Sequence, residues 1–403
     1  MIVGAHETHA PAVAEAPPRC VPTRRIAFVL PCLLPFGGVE RLLVSQAEQL
    51  IGLGFGVDFV FVSESKDLSG ALPSQARVFN LDVPRIRDAI IPLVRYLRAE
   101  APDAVHAAMW PMSSAVVLAA KLARSRARVI VSDHNPLSIQ YSHLGPLRRW
   151  MQRASLGLTY RLAHARVVVS SAVADDLAGL SGIDRDRFTV IHNPISIDID
   201  DTDDQSSAEA AWDGWAGKRI LTVGRLKTQK NHRLLIRAFR RLLEQQDARL
   251  MILGVGELSE ATAEAVREAG LDGKVVMPGQ VENPAPYYRS ADLFVLSSDY
   301  EGFGNVLVEA LACGLPVVST NCPGGPAEIL QDGLHGRLVT VGDEVGLAVA
   351  TGDALAASHD TEALKRRADD FSPAIALDRY LRLMFPRESS PSTGTARHTG
   401  DAS

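Results

Sequence analysis

The stretch ADLFVLSSDYEGFGNVLVEAL, residues 291–311, reads as a buried strand, a glycine loop and a helix in direct succession. The apolar run stops at Ser297-Ser298, the loop Tyr300-Glu301-Gly302-Phe303-Gly304 follows, and a helix is expected from about Asn305. Such a step is half of a parallel βα unit. The rhythm repeats on either side, with strands expected over 219–223, 249–253, 274–277 and 316–319. An earlier series has strands over 25–30, 57–62, 104–106, 128–132, 167–170 and 189–191, with an amphipathic helix over about 39–51. The acidic, polar run 196–207 separates the two series.

The fold class that follows is α/β with two doubly wound domains, since 403 residues exceed what one core commonly serves. The first domain is assigned to 23–197, a linker to 198–215 and the second domain to 216–371. A closing helix within 372–386 follows a Ser-Pro turn and is expected to pack back across the domains. Residues 1–22 and 387–403, rich in Ala, Pro, Ser, Thr and Gly, read as disordered tails. Open parallel sheets bind ligands beyond the carboxyl ends of their strands, so two in tandem would face each other across a shared cleft.

A hydrophobic share of 46% and a charged share of 22% are ordinary for a folded chain, and a net charge of -5 argues against nucleic acid as the main partner. The charge is uneven: residues 24–195 hold 20 Lys+Arg against 14 Asp+Glu, a balance of +6 that leaves -11 elsewhere, so the first half is the better suited to an anionic partner. Cys20, Cys32, Cys313 and Cys322 form neither a disulfide framework nor a zinc spacing, which suggests reduced structural thiols and a cytoplasmic location. The N-terminal residues include His6, Glu7, His9 and Glu15 where a secretory signal would be apolar. No run approaches the ~20 apolar residues of a membrane span.

Chemistry-bearing residues fall just after expected strands. Glu301 and Glu309, eight apart, would flank a helix start, and paired carboxylates suit the hydroxyls of a polyol. Gly302 and Gly304 would let backbone approach a ligand. Arg225 and Lys230, after Gly224, put cations at a helix start where they are electrostatically misplaced, which suits a departing diphosphate. Gly37 and Gly38 in the first strand–helix turn could approach a phosphate, although no GxGxxG pattern is present. His134 after the 128–132 strand could reach into the cleft with Asp133 orienting it, whereas His106, beside Ala107 and Ala108, reads as structural. The DIDDTDD run at 198–204 occupies the linker and reads as solvated, so no metal site is assigned. Residues 143–166, with Arg148, Arg149, Arg153, Arg161, Arg166 and Trp150, fit either an anionic membrane surface or lipid-diphosphate acceptor, or a solvated helix face.

On these residues the sequence resembles the group 1 (family 4) glycosyltransferases of the GT-B fold, two Rossmann-like domains facing across a cleft. The resemblance spans about 25–385 and rests on VGRLKTQKNHRLLIRAF (223–239), the run 279–320, CPGGPAEIL (322–330), GGVER (37–41), VSDHN (131–135) and VIHNPI (190–195). It implies that Arg225 and Lys230 hold the donor diphosphate, Glu301 the donor sugar and Glu309 the ribose. It further implies that Gly224 and the amides of Gly302, Phe303, Gly304, Asn305 and Val306 line the donor, while Gln280 and Val281 receive the base. His134 would sit over the sugar, with Gly37 and Gly38 beneath the phosphates. The family is retaining and generally needs no metal or other cofactor. A UDP-sugar donor and a glycan or lipid-linked acceptor are expected. A nucleotide-sugar epimerase or hydrolase of the same fold, and a silent nucleotide-sugar binder, remain alternatives.

Overall fold

A computed structural model of the chain describes residues 24–32, 38–63, 72–195, 197 and 205–386. Seven parallel strands form the first sheet: β1 (Arg25–Leu30), β2 (Gly56–Phe61), β3 (Arg77–Asn80), β4 (Ala104–Ala108), β5 (Arg128–Asp133), β6 (Ala165–Val168) and β7 (Thr189–Val190). They lie in the order β3-β2-β1-β4-β5-β6-β7. The second sheet holds β8 (Lys218–Val223), β9 (Ala248–Leu253), β10 (Val275–Gly279), β11 (Leu293–Leu296), β12 (Val317–Thr320) and β13 (Arg337–Val339), in the order β10-β9-β8-β11-β12-β13. In each sheet the order reverses beside the first strand, at β1/β4 and at β8/β11, which opens a crevice at the carboxyl edge.

The central strands are covered by helices on both faces, which is why they read as unbroken apolar runs. β3 and β13 have no counterpart among the expected strands. Both are edge strands, and β3 is largely exposed, so neither carries an apolar signature. Within the expected linker, the helix Gln205–Ala211 buries Ala208 and is followed by the buried Trp212. Trp212 Nε1 donates to Ser290 Oγ at 2.9 Å. The acidic run 198–204 and both tails lie outside the described residues.

The helix Pro373–Met384, opened by a proline in its first turn, leaves the second lobe and seats on the first sheet. Ala376, Leu377, Tyr380 and Met384 join Ile26, Phe28, Leu30 and Phe59 in one apolar cluster. Where the chain crosses back, Ile195 N donates to Phe371 O at 3.0 Å.

One buried carboxylate knits the outer part of the first sheet. Asp58 on β2 accepts Arg25 Nη1 at 2.9 Å, Arg77 Nε and Nη2 each at 2.8 Å, and the Tyr96 hydroxyl at 2.6 Å. Burial alone would raise its pKa, but these donors outweigh burial and hold it below the ordinary carboxylate value. Asp58→Ala is therefore expected to cost about 3 kcal/mol of unfolding free energy in urea titrations at neutral pH. A depressed carboxyl contributes fully above about pH 4 and loses its contribution as the pH falls through its folded-state value, so the deficit of the variant should shrink in acid.

Candidate active site

At the carboxyl end of β8 the chain turns through Gly224, whose φ of 156° lies at the limit of what other residues adopt. An added Cβ there would sit 3.1 Å from Lys230 Cε, so the lysine stem lies across the glycine. A single 3-10 turn, Thr228–Lys230, leads to Asn231, which caps the helix His232–Leu242 by accepting from Leu234 N at 3.2 Å. Asn231 Nδ2 also donates to Asp299 Oδ1 at 2.7 Å, tying this turn to the loop after β11.

That tie aligns a charged cluster at the β8/β11 switch point. Lys230 Nζ donates to Glu301 Oε1 at 2.7 Å and Ser298 Oγ to the same oxygen at 2.6 Å. Gln229 Nε2 reaches Glu301 Oε2 at 3.3 Å and Tyr300 O at 2.8 Å. The pair is largely buried, with side chains 12% and 8% exposed, so its geometry is fixed by partners rather than by solvent. This answers the electrostatic misplacement of Lys230: its charge is held by a carboxylate from the neighbouring strand end.

Beyond Glu301 the loop is gripped from two sides. An added Cβ at Gly302 would sit 1.7 Å from the carbonyl oxygen of His134, and Ser170 Oγ donates to Gly302 O at 2.7 Å. Gly302 thus makes room for the first lobe's backbone. On the other side, an added Cβ at Gly324 or Gly325 would meet the carbonyl oxygen of Glu301 or Phe303 at 2.1 Å. Phe303 is buried, stacked on His192 at 5.1 Å and edge-on to Phe371 at 5.4 Å, so its side chain closes the lobe junction. Gly304, with φ of 101°, opens the helix Asn305–Ala312 without a side-chain cap. Asn305 Oδ1 accepts Asn193 Nδ2 at 3.0 Å, and Val306 is half-buried against the core. One turn into the helix, Glu309 is buried and accepts the Tyr288 hydroxyl at 2.8 Å.

The first lobe contributes His134 just past β5. Its Nε2 lies 3.2 Å from Ser132 Oγ, which in turn lies 2.9 Å from His106 Nε2. His106, expected to be structural, is fully buried; its chain neighbours offer no polar partner, but the adjacent strand supplies Ser132. Burial pushes the imidazole of His134 down to about 4 and that of His106 to about 3, so both are neutral near pH 7. The role expected of Asp133 is corrected. Its carboxylate accepts Trp110 N at 3.0 Å and the Tyr160 hydroxyl at 2.6 Å, away from His134, and burial pushes it up to about 6.

The remaining expected residues are dispersed. Arg225 is exposed and approaches Glu257 at 3.4 Å instead of joining the Lys230–Glu301 pair. Lys227, absent from the sequence expectation, is half-buried nearby, and burial lowers its pKa, reinforced by Lys230 and Arg225. Gln280 and Val281 follow β10 half-buried, and Arg41 Nη2 reaches Glu282 O from the first lobe at 3.4 Å. Gly38 opens the helix Gly38–Gly52, and an added Cβ would be 3.7 Å from Asn305 Nδ2; Gly37 lies outside the described residues. Lys230, Glu301, Gly302 and His134 thus lie along one line of contacts, with Gly224 against the Lys230 stem and Gly38 beside Asn305.

Residues 36–199 match the profile described as Glycosyltransferase Family 4, and residues 217–357 match that described as Glycosyl transferases group 1. The chain belongs to the group 1 (family 4) glycosyltransferases. Among relatives of this glycosyltransferase, the N-acetylgalactosamine-N,N'-diacetylbacillosaminyl-diphospho-undecaprenol 4-alpha-N-acetylgalactosaminyltransferase of Campylobacter jejuni is 31% identical over 57% of this chain and 60% of its own length. The lipopolysaccharide core biosynthesis glycosyltransferase LpsE of Rhizobium meliloti is 32% identical over 41% of this chain and 49% of its own length. The matched regions thus span less than two thirds of these relatives. Among solved structures, Anabaena HepE in complex with UDP-glucose aligns with a TM-score of 0.73 at 20% identity, covering 88% of this chain and 97% of that one. The shared architecture is the GT-B fold of two Rossmann-like domains.

Gly302→Ala tests the junction of the lobes. With no space for a methyl group beside the His134 carbonyl, the variant is expected to lose about 2 kcal/mol in thermal melts and to show a larger radius of gyration in solution scattering.

Proposed function

We propose that the chain transfers a hexosyl or N-acetylhexosaminyl group from a nucleotide-diphosphate sugar, a UDP-sugar first, to an acceptor hydroxyl with retention of anomeric configuration. The observation that carries this reading is the buried Lys230–Glu301 pair, set at the β8/β11 switch point, with the His134 backbone of the other lobe pressed on the adjoining Gly302. Lys230 uses one N–H on Glu301, which leaves two for phosphate oxygens. Glu301, already fixed by three donors, has lone pairs left for sugar hydroxyls. Neutral His134 would face the sugar as a hydrogen-bonding group. The amides opening the helix Asn305–Ala312 would add positive potential beside the phosphates, and Glu309, oriented by Tyr288, would take the ribose.

In this mechanism the acceptor oxygen bonds to the anomeric carbon on the face from which the diphosphate leaves. The sugar–phosphate C–O bond breaks, and a departing phosphate oxygen takes the acceptor's proton. Negative charge grows on the diphosphate in the transition state, where Lys230, with Lys227 and Arg225 behind it, stabilises it more than in the bound donor. These cations fill the role a divalent ion would otherwise have, so we propose that no bound metal is required. The relatives named for lipopolysaccharide core and for diphospho-undecaprenol substrates support a glycan or lipid-linked acceptor in cell-surface polysaccharide, lipopolysaccharide or glycolipid synthesis, met at the cytoplasmic face of a membrane.

Lys230→Ala should lower kcat about 100- to 1000-fold with a smaller change in donor Kd, measured by transfer kinetics and calorimetry. Arg225→Ala, starting from an exposed side chain, should cost less. Equal losses in kcat and donor affinity would argue against a transition-state role for Lys230. Transfer should proceed undiminished in excess EDTA, and proton NMR of the first product formed should show the donor's own anomeric configuration. Sugar release at the same rate with and without acceptor would favour a hydrolase instead.

A further inference from the structure

The outer face of the helix Pro146–Leu162 is not used by anything described so far. Its inner face is buried through Gln152, Leu156, Gly157, Thr159 and Tyr160. Its outer face exposes Leu147, Trp150, Met151, Leu158 and Leu162 by 69%, 66%, 56%, 62% and 41%. At 3.6 residues per turn these five lie within an arc of about 120°. Scattered exposed apolar side chains need no explanation; a continuous stripe on one helix does.

The stripe is flanked by Arg148 on one side and Arg153 on the other, and residues 143–166 contain no Asp or Glu. The bonds made by the segment's arginines go to backbone carbonyls: Arg149 to Ser142, Arg153 to Gly179, Arg161 to Gly182 and Arg166 to Tyr160. A carbonyl orients a guanidinium without neutralising it. The face therefore combines apolar area with uncompensated positive charge, although the chain as a whole carries -5.

Position adds a third observation. Ser155 accepts Trp110 Nε1 at 3.0 Å, level with the residues just past the carboxyl end of β4. The helix runs on from there to β6, so the turns that precede Ser155 lie on the far side of that contact from β6. They carry Leu147, Trp150 and Met151.

We infer that this helix face seats the first lobe on a bilayer bearing anionic headgroups, with the apolar stripe in the interface and the arginines among the phosphates. A second copy of the chain fits less well, because a two-fold pairing of this face would bring the two sets of arginines together. The inference deepens the acceptor proposed above, since the cleft mouth would open onto the surface that holds a lipid-linked glycan, and it rests on that reading only for this consequence.

Vesicle co-sedimentation of the full chain tests it without donor or acceptor. Binding to phosphatidylcholine–phosphatidylglycerol vesicles should exceed binding to phosphatidylcholine alone by about 10-fold or more and weaken in high salt. Trp150→Ser/Met151→Ser, and separately Arg148→Ala/Arg153→Ala, should each lower it about 10-fold while leaving the melting temperature unchanged, as all four side chains are exposed. Failure of the wild-type chain to bind anionic vesicles overturns the inference, as does binding that both double variants retain. A dimer in light scattering that the apolar variant dissolves, with no vesicle binding, assigns the face to self-association instead. A UDP-dependent thermal shift run in parallel reports on the donor lobe alone, so its loss with vesicle binding intact counts against the transferase reading and not against the docking face.

Discussion

The absence of a side chain at residue 302 sets the spacing of the whole molecule. The His134 carbonyl occupies the volume that any Cβ at Gly302 would need, and Ser170 fastens the Gly302 carbonyl from the same lobe. Around this point the remaining contacts between lobes fall into place: Asn193 on Asn305, His192 on Phe303, and the Glu328 carboxylate on Ser171 N at 2.7 Å and His192 Nε2 at 3.1 Å. Glu328 lies at the start of the helix Ser171–Ser181, where a carboxylate is favoured by the helix dipole. The cleft is thus bounded by a seam of backbone, small side chains and stacked rings, with charged groups held just beside it.

The second lobe is the more specialised of the two at this seam. Glycines at 302, 324 and 325 allow three loops to touch through backbone, and Gly224 makes room for the stem of Lys230, which meets Glu301 beside them with Gln229 and Ser298. Loops pressed together this closely leave little freedom to the residues they carry, which is the condition for a preorganised polar site.

Most of the fold was legible because its information is local. A parallel strand buried on both faces is an apolar run, and the glycine-rich step that follows marks where a sheet edge opens. β3 and β13 were missed for the same reason in reverse: at a sheet edge the apolar pattern is not required. Within the site, Lys230 and Glu301 could be read from their place after strands, whereas their direct contact could not. The partners of His106 and Asp133 were hidden because they sit on neighbouring elements, Ser132 and Tyr160 lying 26 and 27 residues away. Arg225 shows the opposite limit: residue type and spacing marked it, but side-chain direction is settled by whichever carboxylate is near, here Glu257. Lys227 stood inside the quoted motif and was passed over, since its sequence position carries no sign of its burial.

The path of the last helix has a mechanical consequence. The polypeptide passes between the lobes twice, once after Ile195 and once after Phe371, and a backbone hydrogen bond joins those two residues side by side. Two crossings held side by side favour swinging of the lobes over sliding, and such a swing would have to release the bond that Arg41 makes to Glu282 O from the first lobe.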